Sequence, residues 1–271
     1  MPVRFGILGT ARIAQKVIRS MQCVPGVIPY AIGSRSYERA AQFAKEVGMA
    51  GDAAIYGSYA DVIADPLVDA VYIPLPTALH VEWVVKAANH GKHILLEKPV
   101  SLNAADLETM IAAVDSAGVQ IMDGTMWMHN PRAAEMKAAM QDRESFGQLM
   151  RRLEFAGSLA TITLEDFCIP FQEDKAEFVI EKGSKWPNPS LGVKSTVERR
   201  ETVLTWTQEA NMIAELARIV RGVREGGGKA ALVGRWVDMM ERTQRVVCAV
   251  HDSVAGGGVP VLIEAGQEEQ G

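Results

Sequence analysis

Between residues 3 and 125 short apolar runs take turns with longer amphipathic ones, and this alternation restricts the chain to few architectures. Strand-length apolar runs fall at Val3–Leu8, Val27–Ser34, Ala54–Tyr56, Val68–Leu75, His93–Leu96 and Val119–Met122. Helical spacing fills the gaps at Arg12–Met21, Tyr37–Val47, Tyr59–Ala64, Val81–His90 and Ala104–Ala117. Parallel strands need a crossover between them, and strands this apolar need cover on both faces. The expected fold class is therefore α/β: an N-terminal doubly wound parallel sheet of the Rossmann type with helices on each side.

Beyond residue 125 the rhythm is lost. A helix is expected near Arg132–Met140, and strands over 148–155, Leu159–Leu164 and Ala176–Ile180. Lys182–Val197 has two prolines, two glycines and no period, and is expected to be a loop. Gln208–Arg221 and Val237–Val254 have strong helical spacing, and Val259–Ile263 has the composition of a last short strand. Two domains are expected, residues 1–128 binding a dinucleotide and residues 129–271 forming a thin α+β unit on an open, largely antiparallel sheet.

Charge and cysteine usage exclude several classes of partner. The net charge is -5 and the 28 basic residues are scattered, so there is no electrostatic footprint for nucleic acid or an anionic membrane. No apolar run approaches the length of a membrane span, and no leader-like segment opens the chain. Three widely spaced cysteines, Cys23, Cys168 and Cys248, suggest neither a disulfide framework nor a metal knuckle, so a reducing, cytoplasmic setting and no metal are expected.

The turn after the first strand reads Gly9-Thr10-Ala11-Arg12-Ile13-Ala14. It resembles the dinucleotide fingerprint with alanine in its second and third glycine places. Gly9 permits a tight turn, Ala11 is small enough for a pyrophosphate to approach the backbone, and Ala14 lets the helix lie on the strand. An ordinary small-residue turn would read the same way. At the end of the second strand the expected acid is replaced by Ser34-Arg35-Ser36. A hydroxyl and a guanidinium suit a 2'-phosphate, which favours NADP over NAD, although a surface arginine touching nothing would also fit.

The fourth strand ends in Ile73-Pro74-Leu75-Pro76-Thr77, with His80 opening a helix, where it serves as a helix-start residue or a site residue. The fifth strand ends in Glu97-Lys98-Pro99. Ligands of doubly wound sheets bind beyond the carboxyl ends of the strands. A lysine held there, partly desolvated, can serve as a general acid or base, whereas a solvated turn lysine is the plainer reading. Asp123, Trp127, His129 and Arg132 follow the sixth strand and are candidates for the same cleft or for packing and capping roles. His90-Gly91-Lys92-His93 brackets a turn and makes a poor metal site.

Together, Gly9 to Ala14, Ser34-Arg35-Ser36, Tyr72 to Thr77 with His80, and Gly91 to Pro99 resemble the glucose-fructose oxidoreductase / inositol dehydrogenase (Gfo/Idh/MocA) family, in particular its dihydrodiol-dehydrogenase-like branch. The resemblance implies hydride transfer between NADP(H), or less readily NAD(H), and a carbohydrate, polyol or diol. It implies Lys98 as the active-site lysine, and Gly9, Ala11, Arg12, Ile13, Ser34, Arg35, Pro74, Pro76, His80 and Glu97 as cofactor-site residues. It leaves a homo-oligomer open. The likeness breaks near 156–159, where a family segment is missing, and no Asp-x-Gly-x-His or Asp-x-Gly-x-Tyr occurs in the chain. That motif carries the lysine's catalytic partner in the family, so a nucleotide-binding or regulatory protein without turnover is the alternative expectation, with His129 or Asp123 as candidate replacements for the base.

Overall fold

The computed structural model describes residues 1–49, 51–140, 160–163, 175–182, 196–226 and 234–263. The strand expected over 148–155, most of the loop expected over 182–197, and Cys168 lie outside the described residues. The chain forms two compact units, one of Met1–Gly124 with Ile213–Gly271 and one of Thr125–Met212. The expected boundary was a single cut at 128/129. The helices beyond 212 instead join the N-terminal unit, because that is where their apolar residues find cover.

The first unit is built on six parallel strands: β1 (Val3–Leu8), β2 (Val27–Gly33), β3 (Ala54–Tyr56), β4 (Ala70–Ile73), β5 (His93–Leu96) and β6 (Ile121–Asp123). Their order is β3-β2-β1-β4-β5-β6. β4 and β5 are buried along their whole length, as strands covered on both faces must be. The crossovers are α1 (Arg12–Cys23), α2 (Tyr37–Glu46), α3 (Tyr59–Ala64), α4 (His80–Asn89) and α5 (Ala104–Ala117). Side chains of Ser36, Ser58 and Asn103 cap α2, α3 and α5 by accepting from the amides of Arg39, Asp61 and Asp106.

Two further helices contribute to this unit: α7 (Gln208–Glu225), whose residues from Ile213 on belong to it, and α8 (Gly234–Ala255). α8 packs on α5 and β6, and its Met240 is fully buried in the same core as Leu107, Met110, Val114 and Ile121. The end of α7 is stitched to the sheet through Arg224, which pairs with Asp69 and donates to the Pro2 carbonyl. Asp69 in turn accepts from the Arg4 amide at 2.7 Å. Residues 259–263, expected to be a strand, have no regular structure and are exposed; Pro260 lacks an N–H, and no described strand offers a ladder to the segment. α8 also exposes Val246, Val247, Val250 and Val254 on one side.

Close approach of α3 to the sheet depends on Gly33. A Cβ built there would stand 2.4 Å from the Ser58 carbonyl oxygen and 2.5 Å from Val62 Cγ2. Backbone cannot yield as a side-chain end can, so Gly33→Ala is expected to cost about 1–3 kcal/mol. A lowered urea midpoint with unchanged slope would show it; an unchanged midpoint would contradict it.

The second unit holds α6 (Pro131–Met140), the first turn of α7, and an antiparallel sheet ordered β7-β8-β9, with β7 Ala160–Thr163, β8 Lys175–Lys182 and β9 Thr196–Val203. β9 was not expected at all: Thr196 and Val197 were read as loop, and charge dominates the rest. Its pairing with β8 over all eight residues makes it a strand. α6 packs on β8, whose Phe178 and Ile180 are buried.

Candidate functional site

Starting from β1, the strand order runs to β2 and β3 on one side and to β4, β5 and β6 on the other. The crevice beyond the carboxyl ends of β1 and β4 is thus the topological switch point of the sheet. Gly9 stands there with φ +109°, a conformation that side chains strain to reach, and a Cβ would lie 3.2 Å from Leu75 Cδ2 in the β4 loop. The Gly9 amide donates to the Gly33 carbonyl at 2.7 Å, tying this turn to the end of β2. Ala11 is the N-cap of α1, makes no side-chain capping bond, and is followed by no acid in the first turn.

By helix geometry the Arg12 and Ile13 amides have no intrahelical acceptor. They therefore present N–H groups and the positive end of a twelve-residue helix to the crevice. Arg12, Ile13 and Arg35 are exposed, so two guanidiniums are available at this rim. Ser34 is buried, its amide donating to the Tyr56 carbonyl and its Oγ 3.5 Å from the Ser36 amide. No acid occupies 33–36, while the Glu38 carboxylate in the first turn of α2 accepts from Ser36 Oγ at 2.7 Å; the α1 amides and the Ser34 and Arg35 donors fit a pyrophosphate and a 2'-phosphate.

At the other end of the crevice, Glu97 is buried between the ends of β4 and β6 and Lys98 is exposed in the turn that follows. The partial desolvation expected of Lys98 is not present; the buried place is taken by Glu97. Tyr72 Oη donates to Glu97 Oε1 at 2.6 Å, and the Lys98 amide donates to Oε2 at 3.2 Å. Burial pushes the Glu97 carboxyl above its usual range, against the opposing pull of the Tyr72 hydrogen bond, the Lys98 amide and the charges of Lys98 and His80. Burial and the adjoining carboxylate hold the Tyr72 phenol well above its usual value, so it stays a donor. The Lys98–Pro99 peptide is cis.

His80 is 1% exposed, and both ring nitrogens meet carbonyl oxygens: Nδ1 is 2.9 Å from Val100 O and Nε2 is 2.8 Å from Leu75 O. A neutral imidazole donates to one such oxygen, and only a doubly protonated ring donates to both. Either way His80 joins the loop after β4 to the segment after Lys98. Pro74 is buried and Pro76 exposed within the loop it holds.

The remaining candidates separate. Asp123 ends β6 and is buried. Trp127, His129 and Arg132 belong to the second unit, where Arg132 is fully buried with its guanidinium carbon 5.1 Å from the Trp127 ring centroid. Each polar residue of the 90–93 turn has its own duty. His90 Nδ1 is 2.9 Å from Lys86 O, Lys92 donates to the carbonyls of Asp65 and Val68 at 2.7 Å each, and His93 Nδ1 accepts from the Gln120 amide. The described residues contain no helix long and apolar enough to cross a membrane. Tyr72 was missed as a site residue. The available signal was its phenol inside the buried run of β4, which has to find an acceptor.

A doubly wound parallel sheet with an open helix end at its switch point is the architecture of the Rossmann class. Residues 3–125 match the family model of the Gfo/Idh/MocA oxidoreductases, described as an oxidoreductase family with an NAD-binding Rossmann fold. It is 42% identical over 139 residues to the NADP(+)-dependent D-xylose 1-dehydrogenase 2 of Haloferax volcanii, covering 50% of this chain and 42% of that protein. It is 36% identical over 135 residues to the NADP(+)-dependent scyllo-inositol 2-dehydrogenase of Bacillus subtilis, covering 50% and 40%. The chain thus spans less than half the length of these curated relatives in sequence. The crystal structure of KijD10, a 3-ketoreductase from Actinomadura kijaniata, in complex with NADP, superposes with a TM-score of 0.64 over 93% of this chain and 97% of that one; at 19% identity this shows a shared fold.

Proposed function

We propose that this chain is an NADP(H)-dependent oxidoreductase that moves a hydride to or from a CH–OH carbon of a sugar, polyol or diol. One observation carries the reading: the uncapped α1 N-terminus at the switch point, with Ser34 and Arg35 at the neighbouring strand end and no acid among them. The NADP-dependent sugar and polyol enzymes among its relatives support the same cofactor and substrate class.

The Arg12 and Ile13 amides would take the pyrophosphate, and Ser34 and Arg35 the 2'-phosphate. When bound, NADPH supplies the hydride. Lys98 Nζ gives its proton to the substrate oxygen as the carbonyl is reduced and takes it back in the reverse direction. Glu97 fixes the turn that carries Lys98 by accepting its amide, and Tyr72 keeps the Glu97 carboxylate in place. His80 fastens the loop after β4 to the segment behind Lys98.

Thermal unfolding titrated with NADPH and with NADH tests the cofactor, because a ligand that binds only the folded state raises apparent stability by mass action. A saturable rise with NADPH and a weaker one with NADH are expected. Arg35→Asp is expected to weaken NADPH about tenfold or more and to leave NADH nearly unchanged, since a charge-assisted phosphate contact is replaced by a repulsion. Equal response of wild type and variant to NADPH would remove Arg35 from the site. The absence of Asp-x-Gly-x-His or Asp-x-Gly-x-Tyr favours a second reading, a nucleotide-binding protein without turnover. It expects the same binding and no NADPH consumption with any sugar, polyol or diol carbonyl.

A further inference from the structure

The hydroxyl of Ser36 is the centre of a small polar cluster where β2 gives way to α2. Its Oγ accepts from the Arg39 amide at 3.3 Å, as the N-cap of the helix, and donates to Glu38 Oε2 at 2.7 Å. The Ser36 amide lies 3.5 Å from Ser34 Oγ, so the cluster adjoins the two residues given the 2'-phosphate, Ser34 and Arg35. A serine hydroxyl has one proton to donate. While Glu38 holds it, a phosphate oxygen arriving at this turn meets a hydroxyl with nothing to give and a carboxylate behind it.

Glu38 is ionised in that position. Its side chain is exposed in the first turn of α2, and the Ser36 hydroxyl holds its carboxyl below the usual range. A phosphate monoester carries close to two negative charges at neutral pH. The free 2'-hydroxyl of NADH carries none and can donate to a carboxylate.

We propose that Glu38 is a specificity-determining residue of the cofactor site: its carboxylate, by holding the Ser36 hydroxyl and setting a negative charge in the turn that carries Arg35, restrains NADPH binding and keeps NADH usable. This rests on the assignment of the 2'-phosphate to Ser34 and Arg35. Attraction from Arg35 and repulsion from Glu38 then act on one phosphate, and the preference for NADPH is the difference between them. Both side chains are solvated, so the contribution of Glu38 is moderate and fades as salt is added.

The same helix supplies a control. Glu46 closes α2 about 12 Å further along the axis, where it accepts from Gln42 Nε2 at 2.8 Å. Neutralising it changes the net charge as much as neutralising Glu38 does and leaves the start of the helix untouched.

Dissociation constants for NADPH and NADH, measured on the full chain at low salt, test the proposal. Glu38→Gln keeps the side-chain length and discards the charge. It is expected to bind NADPH about three- to tenfold more tightly than wild type, with the gap closing at high salt, and to bind NADH within about twofold of wild type or more weakly. Glu46→Gln is expected to match wild type with both. An NADPH affinity unmoved or lowered by Glu38→Gln overturns the proposal, as does an equal gain with NADH or the same gain from Glu46→Gln. Arg35→Asp separates this failure from failure of the site. If it weakens NADPH while Glu38→Gln changes nothing, the phosphate site stands and the role of Glu38 falls; if wild type binds no NADPH, both fall.

Discussion

Lys98→Met is expected to lower NADPH-linked reduction of a sugar or diol carbonyl by about a hundred- to ten-thousand-fold, the range for losing a general acid. The NADPH-induced rise in melting temperature is expected to be unchanged. Methionine keeps most of the lysine stem, and the hydrogen bond that fixes the turn comes from the residue 98 amide, which the substitution retains. The loss should fall on kcat and on kcat/KM alike, because the proton is needed in the transition state and not for binding. Equal turnover by variant and wild type would show that another group handles the proton. Cofactor binding by both with turnover by neither would favour the nucleotide-binding reading.

The second large effect comes from a residue outside the crevice. The His93 imidazole is pushed down to about 4, first by burial and then by the positive charge of Arg224, with Asp69 pulling the other way. Its Nδ1 accepts from the Gln120 amide at 3.0 Å, so a second proton would set donor against donor. The unfolded chain takes up this proton near pH 6.5 and the folded one only near 4, so the contribution is full above 6.5 and falls as the solution is acidified. The loss between the two values is about 3 kcal/mol. Asn can place an acceptor oxygen where Nδ1 stands and does not titrate, so His93→Asn is expected to flatten the acid side of stability against pH. The raised Glu97 carboxyl slopes the opposite way, losing stability as pH rises from the ordinary glutamate value through its own higher one. It is common to both proteins and cancels in the comparison. An unaltered slope in His93→Asn would contradict the assignment.

The sheet of the first unit was legible because its parallel strands are short apolar runs separated by crossovers with helical spacing. The turn after β1 was legible for a local reason: Gly9, Ala11 and the first turn of α1 are constrained by their own backbone. β9 was not, since Glu198, Arg199, Arg200 and Glu201 follow no alternation of apolar and polar, and the segment becomes a strand only by pairing with β8. Residues 259–263 failed in the reverse sense, having strand composition and no ladder. Contacts from Tyr72 to Glu97 and from His80 to Val100 join residues 25 and 20 positions apart, and no local pattern announces them. The destination of α7 and α8 was hidden too. Amphipathic spacing tells which side of a helix is apolar and does not say which core receives it.

Met240 lies in the core of the six-stranded unit, more than a hundred residues after the last strand of that sheet. During synthesis from the N-terminus, all six strands emerge while the α8 seat on α5 and β6 is still empty, and the second unit emerges in the interval. The six-stranded unit is therefore the first to begin folding and among the last to finish. A chain stopped after residue 128 would leave the ribosome with its sheet formed and an apolar scar on one side, and would report on cofactor binding less faithfully than the whole.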